Sequence, residues 1–358
     1  MQQAIIDQYK AVIHTASENK SPLQIRGGGT KHFYGNSSFG QGETVLDMTT
    51  YHGIIDYEPT ELVITACAGT RLTDLESLLE QQGQMLAFEP SHFGANATLG
   101  GCMATGLSGP RRAAAGAARD FVLGMRLLDG KGRDLRFGGR VMKNVAGYDV
   151  SRLMVGAMGT LGVLLEISLK VLPKPRVEIT LQMSMDEAAA IEKMNQWAGK
   201  PLPISATCYV GGMLFLRLSG AESAVRAAQA KLGGEELAGG RDFWQSVREQ
   251  WHDFFQSDKL LWRLSIKSTT VPILLPGKQL LEWNGSLRWL LCDASVDQEI
   301  IRKIAKDAGG HATLFRSHEF RNAVFHPLDP VMMKIHHLLK EQFDPSKIFN
   351  PGRLYPEF

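Results

Sequence analysis

The glycines of this chain are distributed unevenly, and this distribution constrains its fold and its ligands more than any other feature. Of the 358 residues 37 are glycine, and most glycine clusters precede Pro173. The clusters occupy positions 27–29, 100–101, 138–139, and the spaced set 156, 159 and 162. Glycines at strand ends can adopt positive φ and let backbone amides approach a ligand closely. The distribution therefore indicates an N-terminal half built around a ligand with phosphates or rings, with tight turns as the alternative.

Composition and charge exclude several classes of function. Hydrophobic residues make up 44% and charged residues 21% of the chain, which are ordinary values for a globular protein of two domains. There is no run of 18 apolar residues that could span a bilayer, so we expect any membrane contact to be indirect. The excess of 39 Lys and Arg over 37 Asp and Glu gives a net charge of +2, which predicts no nucleic-acid partner.

The cysteines predict a reducing setting. Cys67, Cys102, Cys208 and Cys292 lie far apart with no Cys-x-x-Cys pair. The N-terminus also lacks a basic region followed by an apolar core. We therefore expect a cytoplasmic protein with neither a disulfide framework nor a metal site.

Periodicity predicts a mixed fold whose pattern changes after Pro175. The elements predicted before it are helices over residues 4–17 and about 70–83, and strands at 23–25, 44–46, 62–65, 121–128 and 163–172. Those predicted after it are helices at 185–198, 222–232 and 297–308, and strands at 204–210, 213–218, 260–266, 287–291 and 312–315. The second set is typical of an α+β domain with an antiparallel sheet. A final helix carries an apolar stripe of Val331, Ile335, Leu338 and Leu339.

The first glycine cluster follows an apolar strand. That strand runs into Arg26-Gly27-Gly28-Gly29-Thr30-Lys31. Consecutive amides without Cβ atoms can form a concave set of N–H donors, which suits a diphosphate, although a plain turn is the alternative. The segment is not a Rossmann fingerprint, because His32 stands where a third glycine is required, and no Gly-Lys-Ser/Thr of a P-loop is present.

A second glycine segment follows Glu89-Pro90-Ser91. It reads Thr98-Leu99-Gly100-Gly101-Cys102-Met103-Ala104-Thr105-Gly106-Leu107-Ser108-Gly109. This alternation of small residues, hydroxyls and glycines predicts backbone that runs flat against a planar ring, with Thr105 and Ser108 donating to phosphate or ring edges. A packed glycine loop is the alternative.

Two further segments follow the first two along the chain. They are Lys143-Asn144-Val145-Ala146-Gly147-Tyr148-Asp149 and Gly156-Ala157-Met158-Gly159-Thr160-Leu161-Gly162-Val163. With the first two segments they resemble the FAD-binding domain of the vanillyl-alcohol oxidase / p-cresol methylhydroxylase (PCMH-type) flavoprotein superfamily. Within it the chain is most similar to the small FAD-binding subunits of bacterial glycolate oxidases (glycolate dehydrogenases), including Ser108-Gly109-Pro110-Arg111-Arg112 and the ending Ile348-Phe349-Asn350-Pro351-Gly352-Arg353.

The resemblance implies an α+β fold in three parts. A PCMH-type FAD-binding domain of two subdomains would occupy residues 1–175, and a smaller α+β cap domain with an antiparallel sheet residues 176–328. A C-terminal helix and tail, residues 329–358, would return to the FAD domain.

The same resemblance implies a function. The chain would be an FAD subunit that oxidises glycolate and similar D-2-hydroxy acids to glyoxylate and passes electrons through FAD. Its partners would be a larger related FAD subunit and an iron–sulphur subunit, in the cytoplasm or peripheral at the inner membrane through those partners. A self-sufficient FAD-dependent 2-hydroxy-acid dehydrogenase and a non-catalytic structural flavin subunit are the alternatives.

When the family's motifs are matched to this sequence position by position, the resemblance implies which residues contact FAD. The residues expected near the pyrophosphate and isoalloxazine are Arg26, Gly27, Gly28, Gly29, Thr30, Lys31, Pro90, Thr98, Gly100, Gly101, Ala104, Thr105, Ser108 and Gly109. Those expected at the adenosine end are Gly159, Gly162 and Val163, and Asn350 would return from the C-terminus. Thr30 stands where covalently flavinylated relatives have a histidine, so the resemblance implies non-covalent FAD.

The catalytic residues of the chain are not assigned by these patterns. Oxidation of a 2-hydroxy acid needs a base for the hydroxyl proton and a cation for the carboxylate. His311 is the candidate base, and Arg111, Arg112 or Arg316 is the candidate clamp, the cation that binds the carboxylate. For each of these residues a surface or core role is favoured. Five tryptophans in the second half are expected to fill a core or to face a partner. They are Trp244, Trp251, Trp262, Trp283 and Trp289.

Overall fold

Three sheets form the N-terminal part of the chain. The computed structural model describes residues 2–37, 44–139, 148–318 and 323–358. The strands of this part are β1 (Leu23–Arg26), β2 (Thr44–Asp47), β3 (Ile54–Glu58), β4 (Val63–Cys67), β5 (Gln84–Met85), β6 (Val122–Leu128), β7 (Asp134–Gly138), β8 (Val163–Lys170) and β9 (Leu172–Pro173). β1 and β2 pair in parallel, β5 pairs with β9, and an antiparallel sheet has the order β3-β4-β8-β6-β7.

Helices cover these sheets. They are α1 (Gln2–Asn19), α2 (Leu72–Gln81), α3 (Leu99–Thr105), α4 (Arg112–Ala115) and α5 (Val150–Leu153). α1 confirms the predicted helix and extends it by two residues at each end, because Ile6, Tyr9, Ile13 and Ala16 form one buried face at helical spacing. That face packs with β1, β2 and β8 in one core, which brings the first glycine segment beside the five-stranded sheet.

The following residues form one antiparallel sheet of eight strands. Its strands are β10 (Val177–Ser184), β11 (Ile204–Val210), β12 (Met213–Gly220), β13 (Glu235–Glu236), β14 (Leu260–Ser265), β15 (Lys278–Glu282), β16 (Leu287–Cys292) and β17 (His311–Arg316). Their order is β13-β10-β12-β11-β15-β16-β14-β17. The helices of this part are α6 (Glu187–Ala198), α7 (Glu222–Leu232), α8 (Gly240–Arg248) and α9 (Gln298–Asp307). The architecture confirms the α+β fold class.

One face of this sheet packs toward the N-terminal part. Leu261, Trp289 and Phe315 share a core with Tyr34 and Leu107, which belong to the glycine-rich half. On the opposite face of the sheet, Trp262 packs with the buried side of α9. Four of the five tryptophans are buried as expected for core packing, whereas Trp251 is 60% exposed. The shared core places the eight-stranded sheet against the glycine segments.

The C-terminus returns to the N-terminal part. α10 (Pro330–Phe343) begins after Asp329, whose carboxylate accepts from the Val331 and Met332 amides. After this helix, the Leu23 amide donates to the Ile348 carbonyl at 2.7 Å and the Asn350 amide to the Leu23 carbonyl at 3.0 Å. These bonds tie the tail to β1, beside the first glycine segment.

The apolar stripe of α10 is largely exposed. Val331 is 68%, Ile335 44% and Leu338 55% exposed. The helix is instead anchored through Lys340 and Phe343, which are buried. The described part of the chain holds no helix long and apolar enough to cross a membrane.

The domain bounds that the resemblance implied stay a proposal. β8 ends at Lys170 and β10 begins at Val177, so the two large sheets meet across a short connection. We propose a FAD domain at 1–175, a cap at 176–328 and a C-terminal segment at 329–358.

Candidate functional site

The first glycine segment and α3 line one cleft. Its lining residues are Gln24, Ile25, Arg26, Gly27, Gly28, Gly29, Thr30, Lys31, His32, Thr98, Gly101, Ala104, Thr105, Met158, Asn350 and Arg353. This set includes the cations Arg26, Lys31 and Arg353, and no acidic residue is among the described residues that line the cleft. A cleft with several cations, glycine backbone and no carboxylate suits a strongly anionic ligand such as a diphosphate.

Two glycines of the segment are required by a close backbone approach. A Cβ atom on Gly27 would lie 2.4 Å from Thr98 Oγ1, and one on Gly28 would lie 1.5 Å from the Asn96 carbonyl oxygen. Gly29 has φ +72°, a conformation that other residues rarely adopt. Because residues 27 and 28 lack Cβ atoms, their backbone lies directly against the Thr98 side chain and the Asn96 backbone at this wall of the cleft.

Lys31 places a buried cation beside this wall. Its Nζ donates to the His92 carbonyl at 3.2 Å, and Thr30 Oγ1 donates to the same oxygen at 2.7 Å. Burial lowers the pKa of Lys31. No carboxylate of the described residues lies within 4.0 Å of Nζ. An ammonium group has three donors, so Lys31 retains donors for an anion in the cleft.

The eight-stranded sheet region fixes the loop that holds Lys31. Buried Glu249, which follows α8, accepts from the His92 amide at 3.0 Å and the Phe93 amide at 2.9 Å. Arg248 Nε donates to the same carboxylate at 2.8 Å. The position of the His92 carbonyl, and through it that of Lys31, therefore depends on the second half of the chain.

The expectation of flat backbone over residues 98–109 is wrong. Thr98 Oγ1 accepts from the Gly101 amide at 3.2 Å and begins α3, which ends at Gly106 with φ +63°. The Thr105 hydroxyl donates to the Gly101 carbonyl at 3.0 Å, and Ser108 Oγ accepts from the Ala118 amide at 2.9 Å. The Thr98 side chain accepts a hydrogen bond from a backbone amide in the first turn of the helix. This cap explains why these small residues form a helix rather than an extended segment.

Several residues that the resemblance implied do not line the cleft. A Cβ on Gly100 would meet the Ala68 Cβ at 2.8 Å, and one on Gly162 the Leu128 carbonyl at 3.0 Å. The Val163 side chain is fully buried in the core around α1, and its place at the adenosine end stays a prediction. Pro90 is buried outside the cleft, and Gly109 packs against the Glu89 carbonyl.

Asn350 lines the cleft, but its side-chain amide is hydrogen-bonded to backbone groups. Its Oδ1 accepts from the Ile25 amide at 2.8 Å, and its Nδ2 donates to the Met158 carbonyl at 2.7 Å. A Cβ on Gly159 would lie 2.6 Å from that Nδ2, so the turn at Gly159 packs behind it. Asn350 therefore joins the tail, β1 and this turn. Arg353 also lines the cleft and was not among the residues expected there; its guanidinium donates to the Asn36 and His32 carbonyls.

Three arginines were candidates for binding the substrate carboxylate, and two of them contact protein groups instead. Arg111 is buried and pairs with Glu89 at 3.3 Å and with Glu178 at 2.6 Å. Arg316 donates to Gln250 and lies over the Phe33 ring. Arg112 instead lies over the Trp283 indole, 4.3 Å from the ring centroid.

His311 lies at the start of β17, and its ring is 6.5 Å from that of His326. Desolvation by the surrounding protein, together with the positive charges of Arg263, His326 and Arg112, lowers the pKa of His311 to about 4. The imidazole is therefore neutral at pH 7 and can accept a proton, although as a weak base.

A second recess lies between the segment that follows α3 and the eight-stranded sheet. Its polar lining includes Ser91, Ser108, Arg263 and Glu282. Neither Arg263 nor Glu282 was found from the sequence, because no local pattern distinguishes either residue from an ordinary charged residue of a strand. Burial raises the pKa of Glu282 to about 7, although Trp289 Nε1 donates to its carboxylate at 2.8 Å.

This shift predicts that Glu282→Gln stabilises the protein increasingly as the pH rises. In the native state the carboxyl keeps its proton up to a pH of about 7, whereas the unfolded carboxyl loses it near 4.5. The wild type therefore loses stability between these two values. We expect the variant to gain about 1–3 kcal/mol relative to wild type between pH 5 and pH 8 in urea unfolding. The control Glu235→Gln, on exposed β13, should show no such trend, and a pH-independent gain in Glu282→Gln would contradict the account.

The motif at residues 143–147 lies outside the described residues. Of its neighbours, Tyr148 is 94% exposed, and the Asp149 carboxylate accepts from the Arg152 amide at 3.2 Å at the start of α5.

Comparison with known proteins agrees with the cleft chemistry. Residues 4–138 match the family model described as FAD binding domain. The chain is 49% identical over 355 residues, 99% of its length and 97% of the relative, to the glycolate oxidase subunit GlcE of Escherichia coli. It is 32% identical over 199 residues to the glycolate oxidase subunit GlcD of Bacillus subtilis, which covers 55% of this chain but 42% of that protein.

Solved structures show the same fold. p-Cresol methylhydroxylase matches with a TM-score of 0.70 at 16% identity, over 97% of this chain and 87% of that one. Alkyldihydroxyacetonephosphate synthase matches with a TM-score of 0.65 at 15% identity, over 96% and 74%. These likenesses confirm the PCMH-type architecture predicted from the glycine segments. By its near full-length similarity to GlcE, the chain belongs to that family of glycolate oxidase subunits, within the PCMH-type FAD-binding flavoproteins.

Proposed function

We propose that the chain is the FAD-binding subunit of a multi-subunit glycolate oxidase. In that role it takes part in oxidising glycolate and similar D-2-hydroxy acids to glyoxylate, and passes electrons through FAD. The single observation that carries the proposal is the cleft of glycine backbone, Arg26, Lys31 and Arg353, which holds no carboxylate among its described lining residues. The 49% identity to GlcE supports the same role.

The residues of the cleft fit the pyrophosphate of FAD. Glycine at position 28 lets the segment pack directly against the Asn96 backbone, and the incompletely used donors of Lys31 suit a diphosphate. We therefore assign pyrophosphate binding to residues 26–31, with Thr98, Gly101, Ala104 and Thr105 on the facing wall. Asn350 acts as the support of that wall.

Non-covalent binding of FAD is part of the proposal. Cys102 is buried in the core, where desolvation raises the pKa of its thiol to about 12 and so leaves it protonated. A thiol in that state is a poor partner for covalent attachment. Thr30 uses its hydroxyl to hold the His92 carbonyl.

The protein's part in the chemistry is to hold the substrate and to accept a proton. Bound FAD supplies the acceptor for the hydride that leaves the substrate carbon. The chain would bind the carboxylate through arginine and receive the hydroxyl proton on a base. The candidate bases are the imidazole of His311, which is neutral at pH 7, and the ionised form of Glu282, whose pKa is about 7.

The resemblance and one exposed surface both support the proposal of partner subunits. The exposed apolar residues of α10, Val331, Ile335 and Leu338, support contact with another protein chain. A larger related FAD subunit and an iron–sulphur subunit are the proposed partners, in the cytoplasm, with any membrane contact made through them.

Anaerobic addition of glycolate to the purified FAD-loaded chain tests the catalytic part of this proposal. Loss of the visible flavin absorption within the time of one turnover would assign substrate oxidation to this chain. Unchanged absorption, followed by loss when the partner subunits are added, would restrict the chain to electron transfer. Absence of glycolate oxidation by the whole complex would contradict the proposed function.

A further inference from the structure

One carboxylate from the second half of the chain holds the loop that anchors Lys31. Glu249 follows α8 and is 4% exposed. Its Oε2 accepts from the His92 amide at 3.0 Å and from the Phe93 amide at 2.9 Å. Arg248 Nε donates to Oε1 at 2.8 Å. Three donors therefore hold this buried carboxylate in one position.

The loop that Glu249 binds, residues 91–94, has a backbone conformation that needs support. Phe93 has φ +52° and Gly94 φ +141°, and the first value is uncommon for a residue with a side chain. A Cβ on Gly94 would lie 3.1 Å from Thr30 Cγ2, so the loop packs directly on the first glycine segment. Strained backbone persists only where the surrounding structure holds it, and Glu249 accepts from the amide of the strained residue.

Two contacts connect this loop to the cation of Lys31. Lys31 Nζ donates to the His92 carbonyl at 3.2 Å and lies 5.7 Å from the centroid of the Phe93 ring. Glu249 thus binds the amides of two residues whose carbonyl and ring contact Lys31. A displacement of the loop would therefore displace the ammonium group from the wall of the cleft.

The charge of Glu249 acts on the same cation. Burial lowers the pKa of Lys31, whereas the charges of Cys102 and Glu249 raise it. The Cys102 thiol has a pKa of about 12 and is protonated at neutral pH. Glu249 is thus the group that favours the ammonium form of Lys31 there, because charges interact over longer distances inside a protein than in water.

We propose that Glu249 is a positioning residue for the pyrophosphate of FAD, which makes the affinity of the cleft depend on the eight-stranded part of the chain. The inference rests on the proposed function and deepens it, because it names what controls binding at that site. The helix before Glu249 is fixed in place, since Trp244 and Val247 of α8 are buried in the core that the two parts share. A change in the packing of the two parts would therefore change the affinity for FAD.

FAD titration of the flavin-free chain with two variants tests this role. Glu249→Ala removes the acceptor for both loop amides, and we expect the affinity for FAD to fall about 10- to 100-fold. Glu249→Gln keeps an oxygen acceptor but removes the charge, so the loss at neutral pH should be smaller, about 3- to 10-fold. Wild-type affinity in Glu249→Ala, with the fold retained, would overturn the inference.

The pH dependence of FAD affinity separates this role from general support of the fold, and it needs only Glu249→Gln if the alanine variant does not fold. In the wild type we expect the affinity to fall as the pH rises through the pKa of Lys31. Without the charge of Glu249 that pKa is lower, so the fall should occur at lower pH in Glu249→Gln. A loss of equal size at every pH between about 7 and about 10 would overturn the inference.

The other ionisable groups around Lys31 are the same in the wild type and in Glu249→Gln. A difference between their pH profiles therefore reports on the charge of Glu249. These groups are Arg26 and His32 of the first glycine segment, Cys102 of α3, Arg353 of the tail, and His92 with Glu76 of α2.

The matched control is Glu166→Gln. Glu166 is also a largely buried carboxylate that pairs with an arginine, Arg126, but it is not among the described residues that line the cleft. This variant should keep its FAD affinity within about 2-fold of wild type and show the wild-type pH profile.

Inorganic pyrophosphate as a second ligand distinguishes this inference from the proposed function. A wild-type chain that binds FAD, with equal affinity in both Glu249 variants, overturns only the role of Glu249. A chain that takes up no FAD but binds pyrophosphate more weakly in Glu249→Ala overturns the proposed function and leaves that role standing. A chain that binds neither ligand overturns both.

Discussion

Replacing Lys340 by methionine is expected to lower the free energy of unfolding by about 3–5 kcal/mol. The ammonium group has no exposed surface, and its Nζ lies 2.8 Å from Asp344 Oδ2, 2.7 Å from the Thr160 carbonyl and 2.9 Å from the Phe349 carbonyl. Methionine would leave the Asp344 carboxylate buried without its cation. Urea unfolding followed by circular dichroism measures the loss.

Two variants make this prediction specific. Lys334→Met on the exposed side of the same helix should change stability by less than about 0.5 kcal/mol. Adding Asp344→Asn to Lys340→Met should recover part of the loss, because the orphaned charge is removed while an oxygen remains for the Phe349 amide. A Lys340→Met variant as stable as wild type would contradict the role of this pair in holding the tail on β1.

Replacing Gly28 by alanine is expected to remove most FAD binding. The new Cβ would stand 1.5 Å from the Asn96 carbonyl oxygen, so either the first glycine segment or the backbone at Asn96 must move. We expect affinity for FAD to fall at least about 100-fold, which corresponds to roughly 3 kcal/mol. Flavin fluorescence during titration of the flavin-free protein measures this change.

The matched control is Gly199→Ala. The nearest heavy atom to a Cβ there is 3.9 Å away, and Gly199 has φ −83°, which alanine adopts readily. This variant should bind FAD as the wild type does. Unchanged affinity in Gly28→Ala, with the fold retained, would mean that the cleft is not the pyrophosphate site.

Regular elements of the second half could be predicted because their patterns are local. The strand over residues 204–210 and the helix over residues 222–232 occur with the predicted bounds. Alternation and helical spacing are properties of a short window of sequence. Strands β7 and β15 were not predicted, because they carry charged residues within short apolar stretches.

The residues and local structure of the candidate site could be predicted only in part from the sequence. The anion-binding character of residues 26–31 follows from consecutive glycines beside cations. The helix α3 was missed, although Thr98 is a usual N-cap residue, since two glycines in seven positions weigh against a helix. Tertiary contacts override that propensity: the Leu99 amide donates to the Thr70 carbonyl at 2.8 Å, and the Gly100 amide donates to the Ala68 carbonyl at 2.7 Å.

Lys340 and Arg263 show what no local pattern can reveal. Lys340 lies in an ordinary amphipathic helix and Arg263 in an apolar strand, and charged residues are mostly exposed in proteins. Their burial follows from partners distant in sequence: Lys340 reaches the Thr160 carbonyl and Arg263 the Trp283 ring. Only the assembled fold places these groups together.

The central claim is that the cleft of residues 26–31 holds FAD without a covalent bond. The most direct test is the visible spectrum of the purified chain, followed by acid precipitation and identification of any released flavin. The account predicts a yellow protein that releases FAD quantitatively into the supernatant and leaves a colourless pellet. A purified chain that is colourless and takes up no added FAD, or a pellet that retains the flavin, would contradict it.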